Sequence, residues 1–179
     1  MSRPLFCAAV LCTAFSAHAA DDVAAPTAAD LPALIECRDH DVSAWLGFAF
    51  PLFQDEDGSV ARALGLTAED SATPWLRQYR LERPITAFGR STDRIVFTNA
   101  GVMGVFDEAD PHPLAEQLRI QPMLDTPAKY LGEAVVAESE ERHDDGGVAY
   151  RTRITHDVST LDSHPGKTLA GCSYRMLME

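Results

Sequence analysis

The sequence predicts an α+β fold: a single domain with about six mostly antiparallel strands, a long C-terminal hairpin, and two to four short helices packed on one side. Two observations predict this class. Apolar residues recur at helical spacing near the start of the domain, whereas alternation with a period of two dominates from Leu76 onward. Short turn sequences rich in Asn, Asp and Gly join the alternating segments, which favours antiparallel pairing of neighbouring strands.

The first helix is expected to begin at Asp41, a good N-cap residue, and to end at Pro51, which cannot donate a backbone hydrogen bond. Its expected core face is formed by residues at helical spacing: Val42, Trp45, Phe48 and Ala49. Ser59 is expected to cap a second helix of one or two turns. Asp110 and Pro111 are expected to cap and begin a third.

Strands are expected from about Leu76 to Ala87, with Pro84 at an edge or a bulge, and then over 94–98 and 102–106. The last two flank Asn99-Ala100-Gly101, which predicts a hairpin in which Gly101 is available for a positive φ angle. Both segments have apolar residues at odd and at even positions, which would point to both faces of the sheet, so we expect them near its centre.

The clearest alternation runs from Val148 to Val158. The turn sequence 144–147 (Asp-Asp-Gly-Gly) predicts that this strand pairs back on residues 130–142 in a long antiparallel hairpin. A closing strand is expected over 172–177.

Residues 1–19 have the features of a cleaved secretory signal peptide: Arg3, an apolar run over 5–15, and small residues at Ala17 and Ala19. The apolar run is too short to span a bilayer, so no transmembrane segment is expected. Residues 20–31 are small and polar and predict a flexible leader, and residues 32–179 predict the single α+β domain. We therefore expect a periplasmic or otherwise exported protein, cleaved near Ala19.

Cleavage would leave two cysteines, Cys37 and Cys172. In an oxidising compartment such a pair predicts a disulfide, here between the two ends of the domain. The alternative is a reactive thiol, but the chain has no C-x-x-C pair to favour it.

The charge balance is strongly acidic. The chain has 15 basic and 27 acidic residues, and loss of Arg3 with the signal peptide changes its net charge from −12 to −13. This argues against a nucleic-acid or anionic-membrane partner, because both need a basic face on the protein. It is compatible with a basic protein partner, and also with a simple role in solubility.

No catalytic motif is found in the sequence. Ser91 lacks the glycines of a nucleophile elbow. Asp162-Ser163-His164 contains the residue types of a hydrolase triad, but sequence neighbours seldom form a triad, and the following Pro165-Gly166 favours a turn. His156 lies on the apolar parity of its strand, which predicts a hydrogen-bonded, half-buried histidine.

No metal-ligand spacing is found either. The five histidines after the signal peptide show no H-x-x-x-H pairing. Residues 55–58 are acidic like part of a calcium loop, but with Gly58 in the sixth position Phe53 and Leu64 would occupy carboxylate positions, which excludes an EF-hand. A loose calcium site stays open, and we expect no metal and no cofactor.

These observations favour a non-catalytic periplasmic binding protein, similar in role to an inhibitor or immunity protein, that neutralises a basic envelope-directed toxin or enzyme by protein–protein contact. The candidate contacts are acidic loops with aromatic anchors: Asp55, Glu56, Asp57, Glu69, Asp70, Trp75, Tyr79, Asp144 and Asp145. Two alternatives stay open. One is a small envelope hydrolase that combines Asp or Glu with His164 or His156, and the other is an envelope-assembly or structural factor.

Overall fold

The computed structural model describes residues 26–38, 40–71, 73, 75–142 and 147–178. Within these residues the centre of the fold is an eight-stranded antiparallel sheet in the order β1-β2-β3-β4-β8-β7-β6-β5. The strands are β1 (Leu66–Glu69), β2 (Arg77–Ala87), β3 (Arg90–Phe97), β4 (Gly101–Phe106), β5 (Gln121–Thr126), β6 (Lys129–Arg142), β7 (Val148–Ser159) and β8 (Thr168–Met178). Two four-stranded meanders are therefore joined where β8 pairs with β4.

The helices pack against one face of this sheet. A 3₁₀ turn (Ala28–Asp30) precedes α1 (Leu31–Ile35), α2 (Val42–Phe53) and α3 (Ser59–Ala63), and α4 (His112–Gln117) lies between β4 and β5. Each of the four α-helices contributes buried side chains to one core cluster, together with residues of one sheet face. The class of the fold, mostly antiparallel sheet with a few helices, therefore agrees with the sequence prediction. The predicted signal peptide lies outside the described residues, and the last residues of the predicted leader form the 3₁₀ turn and the start of α1.

The prediction of about six strands was wrong, because β1 and β5 were not recognised. In β1 only Leu66 is buried, so four residues carry no alternation strong enough to be detected. All residues of β5 are exposed and one of them is Pro122, so the strand shows no alternation of apolar and polar residues. Both strands form sheet edges, where burial constrains the sequence least.

Pro51 lies inside α2 and does not end it, contrary to the prediction. A proline removes one N–H donor and crowds the carbonyl of the residue four positions earlier, here Gly47. The disturbance is confined to the last turn, and the extension buries Leu52 to 2% exposure. Pro84 lies at the register shift between β2 and β3, as predicted for a bulge.

Gly101 is required for a different reason from the one predicted. It does not adopt a positive φ angle, but a Cβ atom there would lie 2.3 Å from the carbonyl oxygen of Cys172. On the opposite strand, a Cβ at Gly171 would lie 2.0 Å from the carbonyl oxygen of Val102. The two glycines therefore allow β4 and β8 to approach closely where the two meanders join.

Cys37 and Cys172 form the predicted disulfide, which closes a separation of 135 residues. Cys37 follows α1 and Cys172 lies in the middle of β8, and both are buried in the core. The bridge thus attaches the first helical segment to the strand at the centre of the sheet.

The second face of the sheet is not covered by the helices. Part of it is covered by the loop between β7 and β8, where Leu161 packs against a small cluster of Val96, Val105 and Leu169. Elsewhere this face carries charged side chains in cross-strand ion pairs, such as Arg153 and Arg175 with Glu133. No helix in the described part of the chain is both long and apolar enough to cross a membrane.

Candidate functional site

Three large apolar side chains are exposed together on the outer face of α2 and beside it. Leu46, Phe50 and Trp75 are 39%, 63% and 67% exposed. Leu46 and Phe50 lie one turn apart on α2, and Trp75 comes from the segment before β2. They line one depression of about 400 Å³, and we call these three residues the apolar patch.

The sequence of α2 explains how the apolar patch arises. The helix buries Trp45, Phe48, Ala49 and Leu52 against the sheet. An ordinary surface helix carries polar residues on its opposite face, but α2 has Leu46 and Phe50 there. Contiguous exposed apolar side chains are typical of an interaction surface, because they gain nothing from packing within the chain itself.

Acidic loops adjoin the apolar patch. A second depression, of about 410 Å³, is lined by Asp55, Glu69 and Asp70 among others. Arg77 lines both depressions, so they share a wall. The structure therefore places the acidic loops that contain Asp55 and Asp70 beside Trp75.

Two of the predicted acids cap α3. Asp55 Oδ2 accepts a hydrogen bond from the Ala61 backbone N–H at 2.8 Å, and Asp57 Oδ1 accepts one from Ser59 N–H at 2.9 Å. The cap was predicted at Ser59, but the N-cap position is Gly58 and the carboxylates before it satisfy the free N–H groups. The hydrogen bonds from Ser59 lower the pKa of Asp57.

Glu69 lies in a network of ion pairs on the second sheet face. Its carboxylate is 2.8 Å from Arg80 and 3.3 Å from Arg94, and Gln78 donates a hydrogen bond to it at 2.7 Å. Partial burial raises the pKa of this carboxyl, but the Gln78 hydrogen bond and the two guanidinium charges outweigh burial and lower it. Glu69 is therefore occupied within the fold.

Glu56 and Asp70 are exposed, and in the described part of the chain no hydrogen bond or ion pair is found for either. Tyr79, predicted as an aromatic anchor, is instead 4% exposed, packs edge-on against Phe97, and donates its hydroxyl hydrogen to the Leu52 carbonyl. It cannot present its ring to a partner. The predicted contacts Asp144 and Asp145 lie outside the described residues.

Leu46 and Phe50 were missed by the sequence prediction. Nearly every position of α2 is apolar, so its pattern does not separate a buried face from an exposed one. The detectable signal was the excess of apolar residues over what one buried face requires.

The histidines have different environments. His156, as predicted, is partly buried, with Nε2 3.0 Å from the Glu36 carbonyl oxygen and its ring against Phe88. His112 is exposed between Asp110, at 2.6 Å, and Asp125, at 3.2 Å. Hydrogen bonds to these two carboxylates raise its pKa.

His164 is the most enclosed of these histidines, with 8% exposure. The predicted turn is present, since Lys167 N–H donates to the His164 carbonyl and Gly166 adopts a positive φ angle. The His164 ring also bridges two polar side chains: Nδ1 lies 2.9 Å from Ser163 Oγ, and Nε2 lies 2.8 Å from Gln78 Oε1. Ser163 and His164 line a depression of about 320 Å³ together with Arg94 and Lys167.

Asp157 is a buried carboxyl on the same sheet face, with 5% exposure. It accepts hydrogen bonds from the hydroxyl groups of Ser173 and of Thr155. Burial raises its pKa more than these hydrogen bonds lower it. None of the depressions described above includes it, so we assign it no part in a site.

Comparison of the chain with protein-family models, with curated proteins and with solved structures finds no significant match.

Proposed function

We propose that this chain is a periplasmic protein that acts by binding another protein, as an inhibitor or immunity protein does. The observation that carries the proposal is the apolar patch, in which Phe50 and Trp75 are each more than 60% exposed. Aromatic side chains that contact a partner are the residues most often responsible for binding energy. The disulfide, and the net charge of −13 that cleavage of the signal peptide would leave, support an exported domain that stays soluble while presenting such a surface.

The partner is a protein with an apolar contact region surrounded by basic residues. The apolar patch supplies the centre of the interface, and the exposed carboxylates of Glu56 and Asp70 lie in the loops that border it. Opposite charge around an apolar centre accelerates encounter and fixes orientation, and contributes less to final affinity. An envelope-directed toxin or enzyme with a basic surface fits this description.

The first experiment identifies the partner and then tests the apolar patch. The oxidised protein is immobilised, envelope and secreted proteins are passed over it, and a bound protein is identified by mass spectrometry. It is then purified, and its affinity is measured by calorimetry. We expect Trp75→Ala and Phe50→Ala each to weaken binding by about 30-fold, as for a central aromatic contact worth about 2 kcal/mol.

Met123→Ala is the matched control, because Met123 is 61% exposed on β5, at the other edge of the sheet from β1 and β2. This variant should bind like the unmodified protein. Equal affinity of the Trp75 and Phe50 variants and the Met123 variant would disprove a role for the apolar patch.

The charges are tested separately. Reversal of Glu56 and Asp70 to lysine should slow association and flatten its dependence on salt, with a smaller effect on dissociation. A salt dependence identical to that of the unmodified protein would show that the acidic loops do not face the partner.

A further inference from the structure

Four side chains joined by three hydrogen bonds lie on the sheet face opposite to the helices. The hydrogen bonds run from Ser163 Oγ to His164 Nδ1 (2.9 Å), from His164 Nε2 to Gln78 Oε1 (2.8 Å), and from Gln78 Nε2 to Glu69 Oε2 (2.7 Å). We propose that Ser163 is a nucleophile for acyl transfer from small carboxylic esters, with His164 as its general base and Gln78 as a positioning residue.

The direction of each of these three hydrogen bonds follows from the carboxylate of Glu69, the last side chain in the series. An ionised Glu69 can only accept, so Gln78 must direct its amide N–H groups towards Glu69 and its carbonyl oxygen towards His164. His164 Nε2 must then carry the ring proton in order to donate to that oxygen. The neutral ring therefore directs the Nδ1 lone pair at the Ser163 hydroxyl, which is the arrangement a general base requires.

The histidine is held neutral by its surroundings. Burial lowers the pKa of His164, and the nearby charge of Arg94 lowers it further, against a smaller opposing effect of Glu69. A neutral imidazole at neutral pH can accept the serine proton. His164 also lines a larger depression of about 670 Å³, and the other ionisable groups in the two depressions are Asp70, Arg94, Asp110, His112, Lys129, Tyr130, Asp162 and Lys167.

Ser163 is open to solvent, and the depression that it lines also contains two cationic side chains. Its side chain is exposed and lines the 320 Å³ depression. Arg94 and Lys167 line the same depression. Positive groups placed before reaction stabilise the oxyanion of an acyl-transfer intermediate.

The reaction balances without any further reagent. Ser163 Oγ forms a bond to the ester carbonyl carbon as its proton moves to His164 Nδ1. The carbon–oxygen bond of the ester then breaks, and the leaving alkoxide takes this proton. Water then loses a proton to the same nitrogen and attacks the acyl carbon. The bond between this carbon and Ser163 Oγ breaks, Oγ takes the proton back from His164, and the acid is released.

This proposal is independent of the binding proposal. Gln78 and Tyr79 are neighbours in β2, so their side chains point to opposite faces of the sheet. Tyr79 packs in the core under the helices, and the hydrogen-bonded side chains of Ser163, His164, Gln78 and Glu69 therefore lie on the other face from the apolar patch. Either proposal can fail while the other stands.

The test uses a fluorophosphonate probe, in which an attacking serine displaces fluoride from phosphorus, and p-nitrophenyl acetate as the ester. We expect one fluorophosphonate adduct on Ser163, located by peptide mass spectrometry, and none in Ser163→Ala. His164→Gln should slow labelling by about 100-fold or more, the usual effect of a lost general base. Ser91→Ala is the matched control, because Ser91 is exposed on β3 and has no histidine partner among the described residues.

The pH dependence of the labelling rate distinguishes a general base at His164 from a purely structural histidine. In the unmodified protein the labelling rate should rise with pH and level off above the lowered pKa of His164, and this rise should be absent in His164→Gln. Gln78→Met should lower the plateau by about tenfold, because it removes the acceptor that orients the ring. It also removes the donor to Glu69, so thermal unfolding of this variant measures the loss of stability separately. Labelling of Ser163 no faster than that of Ser91, or an unaltered rate in His164→Gln, would overturn the proposal.

Discussion

Asp157 shows how a single residue can couple the stability of the fold to pH. Its carboxyl is 5% exposed and accepts hydrogen bonds from Ser173 and Thr155. Burial raises its pKa above the value in the unfolded chain, so the folded state holds the proton more tightly. Protonated Asp157 therefore favours folding at low pH, and this contribution is lost as pH rises through the raised pKa.

Two substitutions at Asp157 test this sign. Relative to the unmodified protein, Asp157→Asn should gain stability as pH rises, because the amide keeps a polar partner for the hydroxyl groups and carries no buried charge. Asp157→Ala should lose about 1–3 kcal/mol at every pH, since it leaves buried hydroxyl groups without their acceptor. Urea unfolding in mildly acidic and in neutral buffer measures both. A constant difference between Asp157→Asn and the unmodified protein would contradict the assignment.

The predicted contact residues differ in what the sequence could show about them. Trp75 and Asp70 were identified from residue type and local acidity, and both are exposed beside the depressions described. Asp55, Asp57 and Glu69 have the same residue types but serve as caps or ion-pair partners within the fold. Residue type indicates a charge, whereas its partner is decided by tertiary packing, which a single sequence does not reveal.

At the scale of elements, prediction succeeded where burial constrains the sequence. Strands β2–β4 and β6–β8 were recognised from alternation or from continuous apolar runs, and these are the six strands inside the sheet. The edge strands β1 and β5 have little buried surface and left no pattern. The length of α2 was underestimated because a proline close to a helix end costs less than one in its middle.

The close approach of β4 and β8 leads to a prediction about the pairing of these two elements. Gly171→Ala should destabilise the fold by about 1–3 kcal/mol or more, because its Cβ would overlap backbone atoms of β4 that cannot move without breaking the pairing. Thermal or urea unfolding measures the change.

Gly47→Ala is the control for Gly171→Ala, and we expect it to change stability in the opposite direction. Nothing lies within 4 Å of a Cβ at Gly47, and the residue is exposed in α2, so alanine should stabilise the helix by about 0.5–1 kcal/mol. Similar effects at the two glycines would mean that backbone approach between β4 and β8 does not limit the fold.

For the whole molecule, the disulfide connects segments that are distant in the chain. Cys37 and Cys172 are separated by 135 residues, so the bridge strongly restricts the unfolded state. The double substitution of Cys37 and Cys172 by serine should lower the free energy of unfolding by about 2–5 kcal/mol. Reductant should destabilise the unmodified protein by a similar amount and leave the double variant unaffected, and equal stability with and without the bridge would refute this.

The position of β8 in the sheet also sets an order of events during synthesis. The strand at the centre of the sheet is the last of the described strands to be synthesised, after β1–β4 and β5–β7. Until it appears, β4 and β7 each have an open edge, and neither half can bury its apolar surface completely. An unfinished chain therefore exposes two open sheet edges, which are sites for aggregation, and both edges are covered only when β8 pairs with them.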